Sequence, residues 1–192
     1  MADQTRTREN DTRYEKVKLN SYIAYIYNVL SASIEKMGIK VEAMALNENT
    51  LVMGIRYQTL ADYITYEVDK TKWQIKIHEG YLYVKGSSSA QEEVQKVNDE
   101  VLSKIRKMGI EAGAYLTTDN DTIISIHLEG IIYYILQDVL TKARAKIGQH
   151  LRNIRVKFGT IDDFSYIVLY RKGTTMSESK EKSEIKSKLD EI

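Results

Sequence analysis

The sequence of 192 residues contains no cysteine, no proline and only 10 glycines. Without cysteine, the chain has no disulfide, no thiolate zinc site, no iron–sulfur cluster and no cysteine nucleophile. Without proline, it has no cis-proline turn and no proline-rich ligand segment. The scarce glycines form no Walker, GxGxxG or GxSxG motif. The sequence therefore excludes the enzyme classes that depend on these groups.

A charge of one sign and long hydrophobic runs are also missing. Lysine and arginine number 28 against 27 acidic residues, which gives a net charge of +1. Partners must therefore be sought in local charged patches rather than in the net charge. No apolar run approaches the ~18 residues of a membrane span, and the polar N-terminus lacks the apolar core of a signal peptide. We expect a cytoplasmic protein with no membrane partner. The abundant Ile, Lys and Glu favour a thermophilic source, although the missing loop prolines argue the other way.

An internal repeat is the clearest positive feature of the sequence. The segment Ile34–Lys40, IEKMGIK, resembles Ile105–Glu111, IRKMGIE, at an offset of 71 residues. An apolar strand, a polar turn and a second strand follow each copy. Self-similarity of this kind indicates duplication of one supersecondary unit.

Helical periodicity and strand alternation predict an α+β fold. The first helix is predicted to start near Asn20 or Ser21 and to end at Gly38, and Trp73, Ile75 and Ile77 are predicted to share one face of a strand. We predict two related helix–hairpin–helix–hairpin units, with antiparallel sheets packed on helices. The predicted helices lie near 21–37, 59–69, 90–108 and 130–147, and Val101 and Met108 belong to the apolar stripe of the third. The predicted division is a polar tail at 1–12, a first unit at 13–87, a second unit at 88–173 and a charged tail at 174–192. The sequence leaves open whether the units form one compact domain and whether the charged tail is a solvated helix or disordered.

The first predicted helix is apolar on two sides. A helix that buries one side needs only one apolar stripe. The second stripe predicts a homodimer interface, and the chain's 14 tyrosines against 2 phenylalanines favour partly exposed aromatic surface. The alternative is a central helix covered on both sides within its own domain. The residues of the predicted interface are Tyr22, Tyr25, Ile26 and Val29.

A basic stretch from Thr141 to Lys157 contains no acidic residue. Such a stretch could follow nucleic-acid phosphates. It could also bind an acidic protein surface, or form a solvated face balanced by the nearby Asp162 and Asp163. The candidate nucleic-acid or partner-binding residues are Lys142, Arg144, Lys146, Arg152, Arg155 and Lys157.

Catalytic and metal-binding patterns are weak. His78, His127 and His150 lie far apart and form no HExxH or HxH motif. The turn Asp119–Asp121 lacks the glycine and the distal glutamate of a calcium loop. We therefore predict that the chain is not an enzyme, with no catalytic residue, no metal and no cofactor.

Two segments resemble a known family. Lys72–Gly80, KWQIKIHEG, and the run from Arg152 to Gly173, RNIRVKFGTIDDFSYIVLYRKG, are similar to the Sulfolobales-specific seventh subunit of the Cmr, type III-B, CRISPR effector. The similarity covers most of the body, 13–173, and chain length, absent cysteine and isoleucine content agree with it. The resemblance implies a homodimeric accessory protein of an RNA-guided, RNA-cleaving complex. The family has no assigned catalytic residues, so none is implied here.

Two hypotheses follow for the function. The first is a non-catalytic, dimeric accessory subunit whose partners are a second copy, other ribonucleoprotein subunits and, through that antiviral complex, RNA. The second is an independent nucleic-acid-binding protein of archaeal or viral origin that uses the basic stretch.

Overall fold

A computed structural model describes residues 19–87, 95 and 98–191 of the chain. The predicted polar tail at 1–12 lies outside these residues. In chain order the elements are α1 (Ser21–Glu35), β1 (Glu42–Asn47), β2 (Thr50–Arg56), α2 (Tyr57–Ile64), β3 (Trp73–His78), β4 (Tyr81–Ser87), a π-helical turn (Asn98–Leu102), α3 (Ser103–Lys107), β5 (Ala112–Leu116), β6 (Asp121–His127), α4 (Leu128–Leu151), β7 (Ile154–Ile161), β8 (Phe164–Arg171) and α5 (Glu178–Asp190).

The predicted α+β class is confirmed. The strands form two four-stranded antiparallel sheets, which we call the first sheet, with order β1-β2-β8-β7, and the second sheet, with order β3-β4-β6-β5. Each sheet joins the first hairpin of one sequence repeat to the second hairpin of the other. The central pair of each sheet is therefore made by strands from different repeats.

The contacts divide the chain into two compact units that do not follow the predicted linear division. The first unit contains the described residues up to Ile55 and from Leu136 onward, and the second contains Arg56–Ile135. The sequence predicted a boundary between residues 87 and 88. The strand β4 ends at Ser87, next to this predicted boundary, and pairs with β6 over seven residues. The second sheet therefore crosses the predicted boundary.

The first helix begins and ends where its capping residues predict. The Asn20 side chain accepts a hydrogen bond of 2.9 Å from the backbone N–H of Tyr22. After α1, Gly38 has a φ of 91°, which is the left-handed conformation that favours glycine at a helix end. Gly109 repeats this conformation after α3, with a φ of 82°. The two copies of the repeat thus form the same helix stop.

The predicted third helix at 90–108 is described only in part. Its described residues form the π-helical turn and the short α3. Leu102 is buried, whereas Val101 and Met108 of the predicted apolar stripe are exposed. A π-helical turn contains more residues than an α-helical turn. It therefore rotates the following side chains away from the face that a regular helical period predicts.

The first sheet is buried on both faces. Every residue of β8 from Phe164 to Tyr170 is buried. Tyr166 and Val168 pack in one cluster with Ile185 of α5, while α1 contacts β8. A strand with both faces covered reads as a continuous apolar run, as β8 does.

The predicted charged tail is a folded part of the first unit. Residues 178–190 form α5, and its N-cap Ser177 accepts a hydrogen bond from the backbone N–H of Lys180. Glu181, Ile185 and Leu189 recur at intervals of four residues and are all buried. Two apolar side chains do not fold a helix alone, but the face of the first sheet that α5 covers supplies the missing apolar partner.

A buried polar contact lies beneath α5. The Tyr170 hydroxyl donates a hydrogen bond to the Glu181 carboxylate, and Lys157 Nζ lies 3.7 Å from the same carboxylate. Burial raises the pKa of Tyr166 from its usual 10.0 to about 12. Burial, followed by the hydrogen bond to Glu181, also raises the pKa of Tyr170. The folded first unit therefore holds both phenolic protons more tightly than the unfolded chain.

We expect the first unit to lose stability above pH 10. The folded pKa values exceed the unfolded value, so the contribution of these phenols is fully present below about pH 10 and is lost as the pH rises toward 12. Urea denaturation midpoints measured from pH 8 to 12 check this. Tyr166→Phe is expected to reduce the fall of the urea midpoint with rising pH. Tyr66→Phe, at an exposed tyrosine of the second unit, is expected to leave this fall unchanged. An equal decline in both variants would contradict the assignment.

The second sheet shows the alternation predicted for β3. Trp73, Ile75 and Ile77 are half-buried, whereas Gln74 and its neighbours on the other face are exposed. The Trp73 ring lies directly over Gly86, its partner in the β3–β4 register. The tryptophan is therefore a packing residue on the covered face.

Candidate nucleic-acid interface

Two of the six predicted basic residues are held by carboxylates of the first unit. Lys142 Nζ lies 2.8 Å from an Asp138 oxygen, one turn earlier on α4. Lys157 forms the ion pair with buried Glu181 described above. Because a buried carboxylate requires a partner, the role of Lys157 is structural.

Four basic residues remain available on the surface. Arg144, Lys146, Arg152 and Arg155 are exposed and form no ion pair with any residue that the structure describes. The first two lie on α4, and Arg152 lies in the turn after it. Arg155 is the second residue of β7, which is an edge strand of the first sheet. The helix is interrupted by the non-helical backbone of Ile147. These four cationic side chains are therefore accessible in the first unit.

An aromatic cluster lies in the same unit and includes a residue of the basic stretch. The His150 ring lies 5.8 Å from the ring of Tyr22 and 5.1 Å from that of Tyr25, centre to centre. Half of the surface of each tyrosine is exposed. His150 follows Lys146 by four residues and precedes Arg152 by two. We call Tyr22, Tyr25 and His150 the aromatic cluster; sequence reasoning missed it because His150 is more than 100 residues from the two tyrosines.

The predicted dimer stripe is only partly accessible. Tyr22 and Tyr25 are exposed and Val29 is half-buried, but Ile26 is completely buried. Ile26 lies on the same side of α1 as Ile23 and Leu30, which face the core of their own unit. Ile26 is therefore a core residue and is not available to a partner.

The histidines take separate positions. His78 and His127 each lie 3.8 Å from a glutamate, Glu79 and Glu129 respectively. No group of three metal-ligating side chains occurs within residues 19–87, 95 and 98–191. The Asp119–Asp121 segment forms the turn between β5 and β6, with the backbone N–H of Asp121 bonded to Thr117 Oγ1.

Fold and surface define a two-sheet α+β protein with an exposed surface of aromatic and cationic side chains. No helix in the described part of the chain is long and apolar enough to cross a membrane. Uncharacterized protein 34 of Sulfolobus islandicus filamentous virus (isolate Iceland/Hveragerdi) is 38% identical to the chain over 161 residues, which is 83% of this chain and 90% of the relative. The chain belongs to the family of that viral protein.

Other comparisons give no match. No protein-family model matches the sequence, and no solved structure matches it.

Proposed function

We propose that the protein is a non-catalytic nucleic-acid-binding protein whose first unit contacts phosphates through Arg144, Lys146 and Arg152. The observation that supports this is that these exposed cations form no ion pair with a described residue and flank His150 of the aromatic cluster in the sequence. Phosphates provide most of the affinity in nucleic-acid complexes, and aromatic rings add contacts to bases and sugars.

The ion pairs of Lys142 and Lys157 reduce the number of predicted basic residues that are free to bind phosphate. Lys142 and Lys157 already have carboxylate partners, so their release would cost part of the gain from a phosphate contact. The three proposed residues carry no such cost. We therefore expect binding to depend on them more than on Lys142.

The test compares two charge-reversed variants of equal net charge. The first replaces Arg144, Lys146 and Arg152 with glutamate, and the control replaces the exposed Lys36, Lys180 and Lys186 with glutamate. Fluorescence anisotropy with labelled RNA and DNA, measured over a range of salt concentrations, gives the affinity. We expect the first variant to lose most binding and the slope of log affinity against log salt to fall by about 2 to 3.

Equal loss in both variants would show that only the net charge matters. Failure of the unaltered protein to bind any nucleic acid near physiological salt would overturn the proposal.

A second candidate function is the dimeric accessory subunit of a ribonucleoprotein complex, including the Cmr partnership that the resemblance implies. The number of exposed tyrosines favours it, because tyrosine is enriched at protein interfaces. Among the residues that the structure describes, seven tyrosines have more than two-fifths of their surface exposed: Tyr22, Tyr25, Tyr63, Tyr66, Tyr115, Tyr133 and Tyr134.

Sedimentation equilibrium tests the dimer. We expect a 44 kDa species, twice the chain mass of 22.1 kDa, at micromolar concentration. Tyr22→Glu together with Tyr25→Glu is expected to yield monomers, and Tyr66→Glu is the control. A monomeric unaltered protein would rule out the dimer, and purification from native cells without other subunits or guide RNA would rule out the complex.

A further inference from the structure

The second sheet has one covered face and one open face. On β4, Leu82 and Val84 are buried, while Tyr81 and Tyr83 are half-buried and Lys85 is exposed. The strand register places the open side chains together across all four strands. We call this surface the open face and define it by Lys76, Tyr81, Tyr83, Lys85, Tyr115 and His127.

The first sheet provides an internal comparison. Both second hairpins turn over two residues, so their strands can be aligned at the turn. Tyr81 and Tyr83 then correspond to Phe164 and Tyr166, whose rings stack 5.5 Å apart beneath α5. The second sheet thus retains two aromatic rings at positions that the C-terminal helix covers in the first.

Two positions beside these rings hold larger polar or amphipathic side chains where the first sheet has apolar ones. When the second hairpins are aligned at their turns, Lys85 corresponds to the buried Val168. At the repeat offset of 71 residues, Tyr115 corresponds to the buried Met44. A face that received an apolar helix would keep the valine and methionine. Lysine and tyrosine at these positions favour a ligand that is itself partly charged and aromatic.

The rings are already ordered. The Tyr81 ring lies 4.7 Å from the His127 ring, with an angle of 30° between their planes, and 6.2 Å from the Tyr83 ring. The Tyr81 hydroxyl donates a hydrogen bond to the Glu111 carboxylate, which fixes the ring from its edge. Ordered rings bind flat ligands with a smaller loss of side-chain entropy than free rings do.

The cations lie away from this carboxylate. Lys76 is exposed on β3 opposite Tyr83 and forms no ion pair with a described residue. Lys85 lies at the far end of β4, 3.5 Å from Asp121. Because Lys85 already has a carboxylate partner, phosphates are expected near Lys76 on β3, beside the rings rather than over Glu111.

We propose that the open face binds single-stranded nucleic acid, with bases stacked on Tyr81 and Tyr83 and phosphates near Lys76. A sheet face with ordered rings requires unstacked bases, which single strands supply and duplexes do not. This inference rests on the proposed function but assigns its single-strand preference to the second unit.

The test uses the full chain and labelled oligonucleotides of about ten nucleotides, single-stranded or duplex. Tyr83→Ala is expected to lower the affinity for single strands about 5- to 100-fold. Tyr83→Phe keeps the ring and is expected to retain binding. Tyr66→Ala, the same substitution at an exposed tyrosine of this unit, is the matched control. Circular dichroism melting checks that the variants fold.

The outcomes separate the two proposals. If Tyr83→Ala and Tyr81→Ala bind single strands like the unaltered protein, while the Arg144, Lys146 and Arg152 variant does not, the open face is excluded and the proposed function stands. Equal losses for duplex and single strands in the tyrosine variants also overturn the single-strand assignment. If the unaltered protein binds neither form, both proposals fail.

Discussion

Replacing Gly54 with alanine is expected to destabilise the first unit by about 3 kcal/mol or more. Gly54 lies on β2, in the interior of the first sheet. A methyl group there would lie 2.3 Å from the Ser165 carbonyl oxygen and 2.7 Å from the Phe164 ring. A backbone oxygen in a paired strand cannot move aside without breaking the pairing. This loss is a large part of the 5–15 kcal/mol by which domains are typically stable.

Gly113→Ala is the control for this prediction. Gly113 also lies in a strand, but its added methyl group would meet only Ser125 Oγ, at 3.9 Å. We expect no loss of stability, because alanine is the better strand residue where space allows. Thermal and urea denaturation measure both variants. Similar melting temperatures for the two would show that β2 and β8 are not packed as closely as described.

Replacing Ile185 with aspartate is expected to cost about 4 kcal/mol or more and to detach α5 from the first sheet. Ile185 is completely buried against the cluster that includes Tyr166 and Val168. The new carboxylate would lie one helical turn from Glu181, so two acidic groups would share a buried site. Hydrogen exchange of β8 amides, together with urea denaturation, measures the loss.

Lys186→Asp is the matched control, because Lys186 is the exposed neighbour on the same helix. We expect a change within about 0.5 kcal/mol for this variant. Trp73 is the chain's single tryptophan and belongs to the second unit, so its fluorescence follows that unit while β8 exchange follows the first. Unchanged protection of β8 in Ile185→Asp would show that α5 does not cover the sheet.

Local sequence signals predicted the helix caps, the hairpins and the alternation of β3. Each depends on residues close in the chain, such as Asn20 with Tyr22 or Trp73 with Ile75. The pairing of β4 with β6 could not be predicted in this way. Either hairpin of one repeat could pair with either hairpin of the other, and the alternating pattern is the same for each choice.

For the candidate surfaces too, the sequence predicted the local features but not the contacts between distant residues. The cations of the basic stretch were predicted because they are close in sequence. The Asp138 partner of Lys142 lies one helical turn away and is also a local contact, whereas the Glu181 partner of Lys157 depends on the packing of α5. The role of residues 174–192 was missed for a related reason. Ile185 and Leu189 give too weak an apolar stripe to predict a buried helix unless the receiving sheet is known.

The insertion of one unit within the other affects how the chain is synthesised. The strands of the second unit are contiguous and can pair before the C-terminal part of the chain has left the ribosome. The N-terminal hairpin emerges earlier but waits for β8, since Asn49 accepts its backbone hydrogen bond from Arg171. During that interval β2 lacks its partner strand β8, and Met44 and Val52 are not yet packed against α5. The nascent protein therefore presents an apolar hairpin with an unpaired edge, which a chaperone or a neighbouring chain can bind.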